Sequence, residues 1–366
     1  MARRPAALAI AAVLVAACGP SAGSPAGTLV PTPAAPTASP APTASATPAE
    51  TPAPTPVAVL PGEPWLAYQS GGPFGYGIYL VRPNGTDLLF PIRGVPSGVQ
   101  EHPDWSPDGA QLLFTVTESE DDGSETEDIW VADTATWQVE RLVDCEAPCT
   151  WADEPAWSPD GASIAFQRLV EEEGGFSSTL ELLDVATGAT RVVLVAPARR
   201  AILAPRWSPD GGRLVVELLE LAGDGADAEI TGDGLAIVDL TAATPALQEL
   251  VPSDRFANNP DWSPDGDLIV FSAPDEGGEL GGKLSDLWTV RPAGPDPVRV
   301  TDLAAAGGTA IHPTFTPDGS RILFVLDDPA AGRQDVIATV RLDGTDLGPA
   351  TPTSTTGVHP RLRPTP

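Results

Sequence analysis

The chain is short of most of what catalysis draws on. Its 366 residues include three histidines, three cysteines, three tyrosines and a single lysine, Lys283. There is no phosphate-binding loop, no His-Glu-x-x-His pair and no dinucleotide fingerprint, which removes the common routes to nucleotide and zinc-hydrolase chemistry. The one Gly-x-Ser-x-Gly, Gly19-Pro20-Ser21-Ala22-Gly23, lies in a segment with no strand or helix signal, so it is not a nucleophile elbow. No acidic run has the spacing of an EF-hand loop. Positive charge is scarce: 20 basic residues face 50 acidic ones, a formal net charge of -30. Such a surface repels phosphate backbones and anionic headgroups, which excludes nucleic acid, and it attracts cations or basic partners. No apolar run is long enough to span a bilayer; residues 6–17 are the nearest, at 12 residues.

What is present begins with an address. Arg3 and Arg4 precede that short apolar run, which ends at Val15-Ala16-Ala17-Cys18-Gly19. The order of basic, apolar and small residues before a cysteine resembles a bacterial lipobox. It implies a signal peptide over 1–17, lipidation of Cys18 and an envelope location, with membrane contact only through the lipid. Residues 18–61 are almost all Pro, Ala, Thr, Ser, Gly and Val. Without apolar periodicity they form no core. They read as a tether with a reach on the order of 130 Å at ~3.1 Å per residue.

The rest, 62–366, is repetitive. Pro103-Asp104-Trp105-Ser106-Pro107-Asp108-Gly109 returns at Pro155-Ala156-Trp157, Pro205-Arg206-Trp207 and Pro260-Asp261-Trp262, each followed by Ser-Pro-Asp-Gly. Pro313-Thr314-Phe315-Thr316-Pro317-Asp318-Gly319 is a fifth copy, and the spacings are 52, 50, 55 and 53 residues. Ser-Pro-Asp-Gly suits a type I turn, and each Trp or Phe is a wedge to bury between neighbouring sheets. Apolar runs after each turn supply three further strands per copy, as in Leu112-Leu113-Phe114, Ile129-Trp130-Val131 and Val139–Val143. Four antiparallel strands in a repeated unit make a propeller blade. A sixth unit is predicted from the ends: Trp65–Tyr68, Ile78–Val81 and Leu88–Phe90, completed by His359-Pro360-Arg361-Leu362. The expected fold is therefore all-β, a six-bladed β-propeller whose terminal strands share one blade, which leaves no open sheet edge.

The Trp-Ser-Pro-Asp-Gly copies resemble the WD40-like (PD40) repeats of TolB-type propellers, over roughly 62–366. The resemblance implies the fold and is silent on function. TolB-type proteins carry an α/β domain before the propeller; here the tether occupies that place. Related propellers gate prolyl-oligopeptidase-type peptidases, and some propeller lyases acting on uronate oligosaccharides hold a central metal with histidines.

Three groups of residues are candidates for function. His102, His312 and His359 each precede a motif proline, and Glu154 holds the same position in the next copy. If they converge at one channel mouth they offer ligands for Zn²⁺ or Mn²⁺ and a lyase-like alternative; otherwise they are pre-proline residues bonding local backbone. Glu118, Glu120, Asp121 and Asp122, then Glu171, Glu172 and Glu173, then Asp224 and Asp227, then Asp275 and Glu276, then Asp327 and Asp328 fall between the second and third strands of successive copies. They would make one loop face acidic, either as a partner surface or as solvated loop tips. Cys145 and Cys149 are expected to form a disulfide outside the cytoplasm. The reading is a monomeric, non-catalytic platform for a protein, peptide or glycan, needing no cofactor; the alternatives are a metal-dependent enzyme and an accessory subunit of an envelope complex.

Overall fold

The computed structural model describes residues 59, 62–95, 98–119, 125–172, 175–223, 229–274, 284–294, 296–352 and 355–364. Signal peptide, Cys18 and nearly all of the tether lie outside them. The described chain is a succession of antiparallel meanders. The first pair is β1 (Leu66–Gly72) and β2 (Gly75–Val81). Next come β3 (Val99–Trp105), β4 (Gln111–Ser119), β5 (Glu125–Asp133) and β6 (Val139–Val143), then β7 (Cys149–Trp157), β8 (Ser163–Glu172), β9 (Gly175–Asp184) and β10 (Thr190–Val195). These are followed by β11 (Arg200–Trp207), β12 (Arg213–Ala222), β13 (Glu229–Asp239) and β14 (Leu247–Val251), and by β15 (Asn258–Trp262), β16 (Ile269–Ala273), β17 (Asp286–Val290) and β18 (Val298–Arg299). The chain ends with β19 (Thr309–Phe315), β20 (Arg321–Asp328), β21 (Arg333–Arg341), β22 (Gly348–Pro349) and β23 (Val358–Leu362). No described helix is long and apolar enough to cross a membrane.

Each Ser/Thr-Pro-Asp-Gly turn is built alike. In the first copy, Gly109 N–H closes the turn on Ser106 O at 2.8 Å, and Asp108 Oδ1 accepts from Ser106 Oγ and Ala110 N. The serine oxygen also accepts from Gln111 N, so the turn leads straight into β4. The same bonds recur around Asp160, Asp210, Asp265 and Asp318. They hold all five carboxyls below their ordinary range.

The middle strands of the meanders, such as β4, β12, β16 and β17, are buried on both faces because neighbouring sheets cover them. Trp105 packs with Trp65, Ile78 and Leu80 of the first sheet and with Phe114 of its own. Trp262 packs against Val215 and Leu235, and Phe315 against Val270 and Leu287, in each case reaching the preceding sheet. Leu66, Tyr68 and Tyr79 pack against Leu323 and Ile337 of the last meander, so the first sheet is covered by the second and by the last.

The C-terminal strand β23 pairs with β1, Leu66 opposite Leu362 and Ala67 opposite Arg361. Around the molecule the leading strands touch in the order β3, β7, β11, β15, β19, β23, and β23 touches β3. Arg363, buried at the junction, fastens the tail. Its Nε and Nη2 donate to Gly109 O at 2.9 and 2.6 Å and its Nη1 to Glu63 O at 3.2 Å.

Two expectations change in detail. The strand predicted at Leu88–Phe90 shrinks to one bridge, Leu80 to Leu89, so the β2-β1-β23 sheet has three strands. Pro91, without an N–H, cannot extend that ladder. The meanders from β3 and β7 are also not fully separate: a single parallel bridge, Glu127 to Trp151, joins them in one eight-stranded sheet.

Candidate functional site

Each leading strand carries one irregularity within its length. The residue before the motif proline is left-handed in all six strands: His102 (φ 49), Glu154 (51), Ala204 (46), Asn259 (50), His312 (52) and His359 (48). The pairing slips beside it, as between Glu101 and Asp104 or Ile311 and Thr314. This is a β-bulge, which bends the strand and re-aims a side chain. A non-glycine residue there costs on the order of 1–3 kcal/mol and persists only where its surroundings impose it. Three of the six backbone N–H groups are met by carboxylates: Glu154 N by Asp153 Oδ1 (2.5 Å), Ala204 N by Glu154 Oε2 (2.5 Å) and Asn259 N by Glu217 Oε2 (2.9 Å).

The bulges bring the three histidines together. The rings of His312 and His359 stack with centroids 3.9 Å apart, and His102 meets His359 edge-on at 4.3 Å. His102 Nδ1 donates to Asp153 Oδ1 at 2.7 Å, and Thr115 Oγ1 donates to the same oxygen at 2.6 Å. Burial alone would depress His102, but the charge and hydrogen bond of Asp153, helped by Glu154 and Glu101, raise it to about 9. Among the described residues His312 Nδ1 finds no hydrogen-bond partner; burial and then His102 push it down to about 3. Burial and the other two histidines carry His359 well below its ordinary value.

Beside the imidazoles lies an arc of buried acids. Burial, then the charge of Glu154, raises Glu217 to about 8. Burial and Glu217 lift Asp233, and burial with Asp153 and Glu101 lifts Glu127. Asp153 is the exception: burial opposes its charge, but His102 outweighs it and holds the carboxyl low. The cavity among Glu154, Asn259, His312 and His359 measures about 10 Å³, the size of a single water. Among the described residues no group of three or more His, Cys, Asp or Glu is placed to hold a metal ion. Glu154 is turned onto Ala204 N, one nitrogen of His102 is taken by Asp153, and two of the rings stack face to face. The expected His102, His312, His359 and Glu154 are thus brought together at one level of the fold.

A second tier lies two residues further along each strand. Asp104, Arg206, Asp261, Thr314 and Arg361 line a cavity of about 350 Å³ at the end of the motif turns. Asp104 Oδ2 accepts from Trp157 N at 2.9 Å, and Asp261 Oδ2 from Phe315 N at 3.0 Å, so each carboxylate pins the next leading strand. Burial, with Arg206 as neighbour, lowers Arg361 to about 10. Sequence reasoning passed over this tier. Its signal was the most variable position in the motif, which runs Asp104, Ala156, Arg206, Asp261, Thr314, Arg361. Glu217 had a signal too, as a lone carboxylate in the apolar run Leu214–Leu219.

Of the acidic loop residues, Glu118, Glu171, Glu172, Asp327 and Asp328 stand at the ends of β4, β8 and β20. The registers Val99 to Thr117 and Thr309 to Asp327 put these ends beside the start of the leading strands, the histidine end of the axis. Asp327 and Asp328 accept from Asp335 N and Ala331 N of their own loop. Glu120, Asp121, Asp122, Glu173, Asp224, Asp227, Asp275 and Glu276 lie outside the described residues. Cys145 and Cys149 form a disulfide, Cα–Cα 5.2 Å, in the link from β6 to β7.

No protein-family model matches the chain. Over 197 residues it is 25% identical to the uncharacterized peptidase YuxL of Bacillus subtilis, covering 47% of this chain and 29% of that protein. Over 228 residues it is 26% identical to an uncharacterized protein of Agrobacterium fabrum, covering 62% of this chain and 66% of that one. The chain therefore spans less than two thirds of the length of either curated relative. Among solved structures it is similar to TolB from Acinetobacter baumannii, with a TM-score of 0.57 at 16% identity, over 82% of this chain and 66% of that one. At that identity the likeness is one of fold, and the fold it shares is the β-propeller of TolB and related proteins.

Proposed function

We propose that the chain is an exported, lipid-anchored propeller of six blades that binds a protein, peptide or glycan through its acidic loop face and catalyses no reaction. The observation that carries the non-catalytic reading is the crowding of the histidine tier. Its carboxylates hold backbone N–H groups of neighbouring strands, Asp153 holds His102, and the space left admits about one water. His312 Nδ1 finds no hydrogen-bond partner among the described residues, but a reacting group also needs room for substrate. Six-bladed closure is supported by the cyclic order of strand contacts and by Arg363 bridging the tail to Gly109. The lipid anchor rests on Cys18 and the residues before it.

Crosslinking in intact envelopes followed by capture of the protein should enrich a basic or neutral partner, and replacing Glu118, Glu171 and Glu172 by glutamine should lose it. Enrichment unchanged by those replacements would remove the acidic face from the reading. Protein purified without chelator is expected to carry no stoichiometric metal. Stoichiometric zinc or manganese that disappears in His102→Ala would replace the platform by a metal-dependent enzyme. Cys18→Ala should release the protein from the membrane fraction.

A further inference from the structure

The second tier is a different kind of polar cluster from the first. Arg206 Nη1 donates to Pro205 O and Arg361 Nη1 to Pro360 O, at 3.0 and 3.2 Å. Among the described residues these are the hydrogen bonds that the two guanidinium groups make, out of five N–H bonds each. Arg206 Nε is buried and finds no hydrogen-bond partner among the described residues. Such a donor costs free energy comparable to a lost hydrogen bond and calls for an occupant. The aspartates are half spent: Oδ2 of Asp104 and of Asp261 bonds the next strand, while Asp104 Oδ1 stands 3.7 Å from Arg361 Nε, too long for a hydrogen bond.

The order of touching strands sets the pattern. Arg361 on β23 is followed by Asp104 on β3; Arg206 on β11 is followed by Asp261 on β15. Two Arg–Asp pairs therefore alternate in sign around one cavity, with Ala156 and Thr314 between them. At about 350 Å³ the cavity lies at the small end of ligand-binding pockets, and prolines of four motif turns form its rim. A simple anion there would meet Arg206 and Arg361 but also the two aspartates, and a simple cation the reverse. A molecule carrying both charges satisfies both kinds of group. Being neutral overall, it is also not repelled by a chain of formal charge -30.

We propose that this cavity binds a compact zwitterion of the amino-acid class, its carboxylate on Arg206 and Arg361 and its ammonium on Asp104 and Asp261. The site is at the opposite end of the axis from the acidic loop face and does not depend on that face binding anything.

The test is calorimetric titration of the whole protein, using L-glutamine as zwitterion, succinate as anion and putrescine as cation. Glycine, diglycine and triglycine distinguish a free amino acid from a short peptide with free ends. The expected result is saturable binding of at least one zwitterion below about 10 mM, with succinate and putrescine at least about tenfold weaker. Arg206→Gln and Arg361→Gln should each weaken it about tenfold or more, the range for a lost charged hydrogen bond. Binding of succinate or putrescine as tight as the zwitterion, no binding by any probe, or binding untouched by both replacements would each overturn the proposal. If either variant fails to fold, the selectivity of the wild-type protein among the three charge types decides it alone.

Discussion

The two tiers on the axis lie only two residues apart along each leading strand, yet they are built on opposite plans. In the histidine tier one oxygen each of Asp153, Glu154 and Glu217 accepts a backbone N–H that the bulges would otherwise leave unmet, and the same oxygen of Asp153 also holds His102 and Thr115. In the arginine tier one oxygen of each aspartate is likewise used, but Arg206 Nε finds no hydrogen-bond partner among the described residues and the cavity beside it is open. One end is a strut and holds about a water; the other holds a cavity of about 350 Å³. Carboxylates of both tiers pin the next leading strand, and what separates the tiers is the open cavity beside the second.

The sharpest way to break the comparison is Asp153→Ala. It strips the partner from His102, Thr115 and Glu154 N together. The expected loss is about 3–5 kcal/mol, the range for removing one partner of a buried pair, read as the shift in denaturant midpoint. A loss below about 1 kcal/mol would mean the tier is not a strut.

A next effect separates the closing junction from an ordinary turn. A Cβ on Gly109 would stand 2.4 Å from Arg363 Nε, whereas on Gly161 it would meet nothing nearer than Pro107 at 3.9 Å. Both glycines are left-handed, φ 67 and 71, so both alanines carry the backbone strain. Gly109→Ala should cost about 1–3 kcal/mol more than Gly161→Ala, the range for overpacking. Equal melting temperatures would show that Arg363 does not fasten the tail.

The histidine tier also predicts a two-sided pH profile. His102 is raised to about 9, so its contribution is complete below its unfolded value near 6.5 and is lost as pH rises through 9. Glu217, raised to about 8, acts the same way, since its charge must be buried above that pH. His312, lowered to about 3, works in the other sense: stability falls as pH drops from about 6.5 towards 3, because only the unfolded chain takes up that proton. Melting temperature should decline on both sides, and His102→Gln should flatten the limb between 6.5 and 9. A limb of unchanged slope in that variant would assign the alkaline loss elsewhere. The smallest expected effect is in the arginine tier: Arg206→Gln should change stability by less than about 1 kcal/mol, because it removes a largely unspent donor. A loss as large as that of Asp153→Ala would make both tiers struts.

Much of the architecture was legible because it is local and periodic. Ser106-Pro107-Asp108-Gly109 specifies its turn through bonds spanning five residues, and each copy repeats it. The pairing of the C-terminal strand with β1 could be read from the displaced His359-Pro360. The gathering of His102, His312 and His359 was readable as a shared repeat position, but their chemistry was not. Whether an imidazole ligates, stacks or donates to a carboxylate depends on Asp153, which sits one residue from Glu154 and 51 from His102. Arg363 left no pattern at all, since its partners, Gly109 and Glu63, are distant in the chain.

By itself the sequence determined the acidic surface, the turns, the alternation of strands and the number of motif copies, because each depends on composition or on residues a few positions apart. Only the tertiary structure decided which carboxylates are struts, which histidine holds a proton and which arginines face open space. Those outcomes depend on what the neighbouring sheet brings within about 3 Å of a buried charge, and in a low-dielectric interior that distance decides whether a polar group is satisfied or waiting for a ligand.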